Sequence, residues 1–291
     1  MSFDGRLAGA PISWGVCEVP GWGYQMTPDR VLAEMRAAGL VATEFGPDGF
    51  LPDAPQEKAD LLTGYGLRAV GGFVPVVLHD ATRDVLLGMD AVFAAFVTAG
   101  ANTLVLAADT GLTGYDERVE LDEARWKTLL ANLDLVADAA REHGITATLH
   151  PHVGTIIEKQ AEVARVLESS RIPLCLDTGH LLIGGTDPAA LAREVPERIA
   201  HTHLKDVNAD LARSVQSGQM SYTAAVKAGI YRPLGAGDVD IAGIVSALEG
   251  AGYTGWYVME QDTVLGAEPP EGGGPVGDVR ASLDFVAGLG A

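Results

Sequence analysis

Short apolar runs alternate with amphipathic stretches along the whole chain. Eight runs read as strands: 8–13 (AGAPIS), 40–46 (LVATEFG), 67–74 (LRAVGGFV), 102–107 (NTLVLA), 145–150 (ITATLH), 172–177 (IPLCLD), 199–204 (IAHTHL) and 255–260 (GWYVME). Helical patterns fill the gaps. The clearest is 122–143, where Trp126, Leu129, Leu130, Leu133, Val136 and Ala140 recur on one face. Gly144 follows it as a left-handed stop, and Gly39, Gly66, Gly100 and Gly252 close other helical patterns. Thr27-Pro28 and Asp187-Pro188 read as a cap followed by proline at the first helical position.

Strands that alternate with helices predict a parallel sheet with crossover connections. Eight of each suit an α/β protein of the (β/α)8 TIM barrel type better than an open sheet, and no dinucleotide fingerprint follows the first run. An open doubly wound sheet stays the alternative, since periodicity does not report closure. No linker breaks the chain, so 1–291 reads as a single domain. Its one long insertion is 207–238, after the seventh run, with a short helix expected at 222–229. A long loop after a barrel strand is expected near the active-site face.

Composition narrows the partners. The chain carries 39 acidic against 20 basic residues, a net charge of −19. Phosphate backbones and anionic membrane surfaces repel such a chain, so neither nucleic acid nor membrane is an expected partner. A small molecule or a cation is. No apolar run approaches the ~20 residues of a membrane span. The start of the chain lacks a secretory pattern, and the expected location is cytoplasmic. Cys17 and Cys175 read as reduced, buried thiols rather than a disulfide or zinc motif.

The histidines carry the chemistry. Five of seven fall between residues 150 and 203, all at or near strand ends. The fifth run ends His150-Pro151-His152, the sixth leads into Asp177-Thr178-Gly179-His180, the seventh carries His201 and ends His203-Leu204-Lys205-Asp206, and the eighth ends Glu260-Gln261-Asp262. His150 and Asp177 are 27 residues apart, and Asp177 and His203 are 26, each about one strand-helix unit. His150, Asp177, His203 and Glu260 therefore occupy equivalent depths on neighbouring strands, where barrel enzymes place their chemistry. Two imidazoles and two carboxylates make a mixed N/O metal site. The bland alternative is that each caps or hydrogen-bonds locally.

The motifs LCLDTGH (174–180), HTHLKD (201–206) and GWYVMEQD (255–262) resemble those of the xylose-isomerase-like barrel superfamily, home of sugar isomerases and epimerases. APISWG (10–15), TEFGPDGFLP (43–52) and HPHVGTIIE (150–158) point more narrowly to its inosose dehydratase branch. The resemblance implies a divalent metal, Mn²⁺ or Co²⁺ first, with Zn²⁺, Fe²⁺ or Mg²⁺ as alternatives. Asp177, His203 and Glu260 match shared ligand positions, and His180 matches a residue that contacts substrate hydroxyls. Ketose epimerases of the superfamily have glutamate at the end of the fifth strand, where this chain has His150. That departure favours a metal-dependent hydro-lyase, which removes water from a keto-polyol such as scyllo-inosose through a metal-stabilised enediolate in carbohydrate catabolism. The alternatives are a metal-dependent ketose isomerase or epimerase, and a barrel that binds polyols without catalysis. Relatives of this kind are often homo-oligomers.

The acid/base candidates are His180, His152, Lys205 and Glu260. Trp14 reads either as an aromatic wall against a sugar ring or as a core tryptophan. Glu44 reads as a substrate contact, a support for the metal, or a structural ion pair. Asp206 is a candidate substrate contact that could instead pair with Lys205. His201 reads as a satisfied core histidine, and His79 and His143 as surface residues. Gly184-Gly185 reads as a tight loop before Asp187 rather than an anion cradle.

Overall fold

The computed structural model describes Phe3 and residues 5–290. Its strands are β1 (Leu7–Gly9), β2 (Ala42–Thr43), β3 (Arg68–Ala69), β4 (Gly71–Val76), β5 (Thr103–Ala108), β6 (Thr146–Leu149), β7 (Leu174–Asp177), β8 (Ile199–Leu204), β9 (Asp206–Val207), β10 (Tyr231–Arg232) and β11 (Tyr257–Met259). Nine of them form one parallel sheet in the order β3-β2-β1-β11-β8-β7-β6-β5-β4. The sheet's two end strands, β3 and β4, are consecutive in the chain. Between them the Val70 N–H donates to Thr43 on one side, and its carbonyl accepts from Asn102 and Thr103 on the other. The sheet thus closes on itself through Val70, which settles the barrel over the open sheet.

All eight expected runs contain strand, and they differ from expectation in instructive ways. The run 67–74 is two strands because the chain changes partner at Val70. Gly71 lets that exchange happen: a Cβ there would lie 2.1 Å from the Thr103 carbonyl oxygen. The run 8–13 is strand only to Gly9. Pro11 opens a 3-10 turn, Pro11–Trp14, which Gly15 ends at φ 79°. The run 40–46 pairs formally only at Ala42–Thr43, although the amides of Glu44 and Phe45 still bond to Gly9 and Gly71. The histidine-bearing run 199–204 is strand throughout.

The long helix spans Glu123–Glu142. The Asp122 carboxylate caps it by accepting from Arg125 N–H, and Trp126, Leu129, Leu133, Val136 and Ala140 form its buried stripe. Helices start at Pro28 and Pro188 as expected, but only Asp187 caps through its side chain. Around the barrel these stripes meet the outer faces of the strands in one continuous apolar core. Inside, the β1–β11 side is filled by small residues: Ala8, Ala10, Ala42, Val70 and Val258 pack together. Asp177 pairs with His203, and His203 with Val258, so histidine and carboxylate continue that interior layer on the opposite side.

The insertion after β8 is more ordered than its sequence suggests. β9 and β10 form an antiparallel pair, and between them lie helices Ala209–Gln216 and Tyr222–Lys227. The first of these is amphipathic, with Ala212 buried and Leu211 and Val215 partly buried against the neighbouring cluster.

Candidate active site

The strand ends gather the site. Asp177 closes β7 and also caps the next helix. One carboxylate oxygen accepts the amides of Gly179 and His180 at 2.9 and 2.8 Å. That explains the local D-T-G-H sequence: the strand stops where its last side chain satisfies the following turn. The other oxygen, Oδ2, faces inward, 3.1 Å from His150 Nε2 and 3.5 Å from His203 Nδ1. His203 Nδ1 lies 3.1 Å from Glu260 Oε2. The four residues anticipated as a metal set are therefore together on one floor, all buried.

Glu44 decides how His203 presents itself. Its Oε1 accepts from His203 Nε2 at 3.0 Å and from His201 Nε2 at 2.8 Å. With Nε2 donating, His203 turns its other nitrogen toward Asp177 and Glu260. That Nδ1 is buried and has no hydrogen-bond partner, and the same holds for Nδ1 of His150. Coordinating atoms of Asp177, His203 and Glu260 lie within 4.8 Å of one another. A bare imidazole nitrogen facing two carboxylates is the donor set of a divalent cation with N/O preference, so these residues fit such an ion.

The electrostatics show how strongly the carboxylates act: without an ion His203 takes up a proton that an ion would displace. Burial opposes charge on Glu44, but the neighbouring His203 and His201 hold its carboxyl well below the usual range. Burial likewise disfavours charge on His203, yet Cys175, Glu260 and Glu44 together raise its pKa well above the ordinary value. Burial pushes the Glu260 carboxyl up to about 7. It pushes His150 down to about 4, and holds His152, His180 and His201 below the ordinary value, so all four are neutral near pH 7.

Above the floor is a cavity of about 600 Å³, measured out to its open mouth. Glu44, His150, His152, His203, Glu260 and Asp262 supply its polar lining, and Trp22, Phe73 and Tyr115 are among its apolar walls. His152 Nδ1 donates to the Val153 carbonyl at 2.6 Å, which leaves Nε2 as an acceptor. Glu18 and Tyr115, joined by a hydrogen bond, reach the cavity from opposite loops.

Two anticipated acid/base residues lie behind this lining. The Lys205 ammonium sits 2.7 Å from Glu260 Oε1, 2.5 Å from Asp262 Oδ1 and 3.0 Å from His180 Nε2. Burial disfavours its charge, but Asp177, Asp262 and Glu260 raise its pKa well above the usual value. Gly179 admits its stem, since a Cβ there would lie 2.7 Å from Lys205 Cβ and 2.9 Å from Tyr231 Cε1.

Several expectations need correction. Trp14 does not face the cavity; it is fully buried and its indole N–H donates to Glu34. The tryptophan on the wall is Trp22. Asp206 does not reach the substrate space or pair with Lys205. Its carboxylate accepts the amides of Val207, Gly235, Gly237 and Val239 and so ties down the insertion. His79 is buried, not a surface residue. Cys17 is only half-buried, on the cavity wall. Gly184 is a close-packing position, since a Cβ there would lie 2.1 Å from the Glu158 carbonyl oxygen. Sequence reasoning named neither Asp262 nor Tyr222 as a site residue. Asp262 carried a signal, standing two positions beyond Glu260; Tyr222 carried none.

Residues 30–286 match the family described as xylose isomerase-like TIM barrel, and the chain belongs to it. It is 32% identical over 270 residues to an inosose dehydratase of Geobacillus kaustophilus, covering 88% of this chain and 87% of that one. Among solved structures it is similar to an L-ribulose 3-epimerase (TM-score 0.69, 18% identity, 98% of this chain and 94% of that one). It is also similar to the IOLI protein solved with a bound zinc atom (TM-score 0.67, 14% identity, 98% and 97% covered). Among the described residues no helix is long and apolar enough to cross a membrane.

Proposed function

We propose that the protein is a metal-dependent hydro-lyase acting on a keto-polyol such as scyllo-inosose. The observation that carries this reading is the buried His150–Asp177–His203–Glu260 floor, with an unpartnered His203 nitrogen, beneath a ring-sized cavity. Likeness to an inosose dehydratase over most of both chains supports the substrate class. Asp177, His203 and Glu260, joined by His150, would hold the ion, with Mn²⁺ or Co²⁺ preferred over Zn²⁺, Fe²⁺ or Mg²⁺. When bound, such an ion supplies Lewis-acid polarisation of the ketone, which acidifies the neighbouring C–H.

The chain's own groups do the rest. His152, neutral and with Nε2 free to accept, takes the proton beside the carbonyl. Glu260, whose Oε1 accepts from the Lys205 ammonium at 2.7 Å, would relay a proton to the departing β-hydroxyl, which leaves as water. Trp22, Phe73 and Tyr115 exclude bulk water around the ring. Metal-loaded protein incubated with scyllo-inosose is expected to develop diketone absorbance. No turnover with either Mn²⁺ or Co²⁺ would overturn the reading.

A second reading, a ketose isomerase or epimerase, uses the same first step. It is favoured by one observation: His152 and Glu260 both line the cavity, so a proton taken by one can be returned by the other. Deuterium incorporated from solvent at a carbinol carbon without water loss would establish it.

A further inference from the structure

Asp262 is a carboxylate on the cavity wall that is held by groups outside the metal floor. Its Oδ1 accepts from the Lys205 ammonium and its Oδ2 from the Tyr222 hydroxyl, each at 2.5 Å. His180 Nε2 stands 3.7 Å from Oδ2. A carboxylate oxygen offers about two acceptor positions. Each Asp262 oxygen therefore keeps one after its strong bond is made, and the residue lines the cavity. Two adjacent acceptors on a rigid carboxylate match two adjacent hydroxyl donors on a polyol ring.

The rigidity is built from three directions. Trp22 Nε1 donates to the Thr263 carbonyl at 2.9 Å, and Gln261 N–H donates to Ser13 Oγ at 3.0 Å, which fixes the backbone on both sides of Asp262. Tyr222 comes from the insertion. It is buried, its hydroxyl is 2.9 Å from that of Tyr231, and its helix is pinned where Thr223 N–H donates to Asp116. Tyr231 in turn packs its ring beside the Lys205 ammonium, 5.2 Å from the centroid.

We propose that Asp262 binds vicinal hydroxyls of the substrate ring, and that Tyr222 is the positioning residue that holds it. The insertion is then part of the recognition site, supplying the residue that sets how a polyol ring is oriented over the metal floor. This rests on the polyol reading above and adds to it the group that recognises the hydroxyls.

The test uses the metal-loaded full chain with Tyr222→Phe and Asp262→Asn. Scyllo-inosose turnover is followed alongside calorimetric binding of scyllo-inositol, a cyclic hexol without the ketone. Because Asp262 must then be ordered on binding, Tyr222→Phe is expected to bind the hexol up to about 10-fold more weakly, with a corresponding rise in KM and kcat changed much less. Metal content of that variant is expected to match the parent, and its Tm to fall by only a few degrees. Asp262→Asn weakens both readouts further. If Tyr222→Phe binds the hexol and turns over inosose as the parent does, the proposal is overturned while the lyase reading stands. If the metal-loaded parent itself neither binds the hexol nor turns over inosose, the polyol reading falls and this proposal with it. Should Asp262→Asn fail to fold, Tyr222→Phe decides alone.

Discussion

Glu44 Oε1 stands 3.0 Å from His203 Nε2, and this bond fixes which nitrogen His203 offers to the barrel interior. His201, below it on the same strand, donates to the same oxygen and holds the carboxylate in place. A ligand histidine oriented by a carboxylate is a common way to tune a metal site, and loss of such a partner costs about 10- to 100-fold in affinity. Glu44→Gln is therefore expected to weaken metal binding by about that factor while leaving the ligands in place. Competition with a chromophoric chelator measures it. Unchanged affinity would mean that His203 needs no orienting partner.

Asp177 has two separable duties. Asn can still accept the amides of Gly179 and His180, and Ala cannot. Asp177→Asn and Asp177→Ala are both expected to lose metal. The Ala variant is expected to be less stable than the Asn variant by about 1 kcal/mol, the cost of a helix cap. Urea melts of the two metal-free variants check this, and equal midpoints would dismiss the capping role.

Asp206 serves the insertion and not the chemistry. Removing its carboxylate leaves four amides without their partner. Asp206→Ala is expected to cost roughly 2–5 kcal/mol and to expose 207–238 to proteolysis before the barrel opens. Limited digestion with mass mapping of the first cut tests this. A first cut in the barrel strands would contradict it.

Acid should destabilise the metal-free protein early. His150, His152, His180 and His201 have folded-state pKa values below the ordinary 6.5, with burial the leading cause in each. Below pH 6.5 the unfolded chain therefore binds protons that the folded chain refuses, and stability falls as pH falls. For His150 the window runs from 6.5 down to about 4. Glu260 works the other way: its carboxyl is raised from 4.5 to about 7, so its contribution grows as pH falls through that range. His203, raised well above 6.5, also works the other way. Four groups against two leave a net loss, at about 1.4 kcal/mol per pH unit for each extra proton bound by the unfolded chain. Thermal melts of chelator-treated protein between pH 7 and pH 5 are expected to show Tm decreasing with pH. A flat or rising Tm would show that these imidazoles are not buried neutral.

The barrel was legible because its signals are local. Strand runs, proline starts and glycine stops each mark their own position, and the histidines repeat at the spacing of a strand-helix unit. The clustering of His150, Asp177, His203 and Glu260 was legible for the same reason, since equal depth on successive parallel strands follows from chain position. What the sequence hid depends on direction rather than position. Trp14 and Trp22 both follow β1, and only the turn at Pro11–Trp14 sends one into the core and leaves the other on the wall. Lys205 and Asp206 are adjacent, yet the lysine meets the carboxylates of the site and the aspartate meets the amides of the insertion. Tyr222 reaches Asp262 across 40 residues, a pairing that no periodicity encodes.

The central claim is that the strand-end cluster holds a divalent ion. The most direct measurement is elemental analysis of the chain after incubation with Mn²⁺ or Co²⁺ and removal of free ion, compared with Asp177→Ala and His203→Ala. The parent is expected to retain close to one ion per chain, and both variants to retain little. A parent that retains none, or variants that retain as much as the parent, would contradict the assignment of this site.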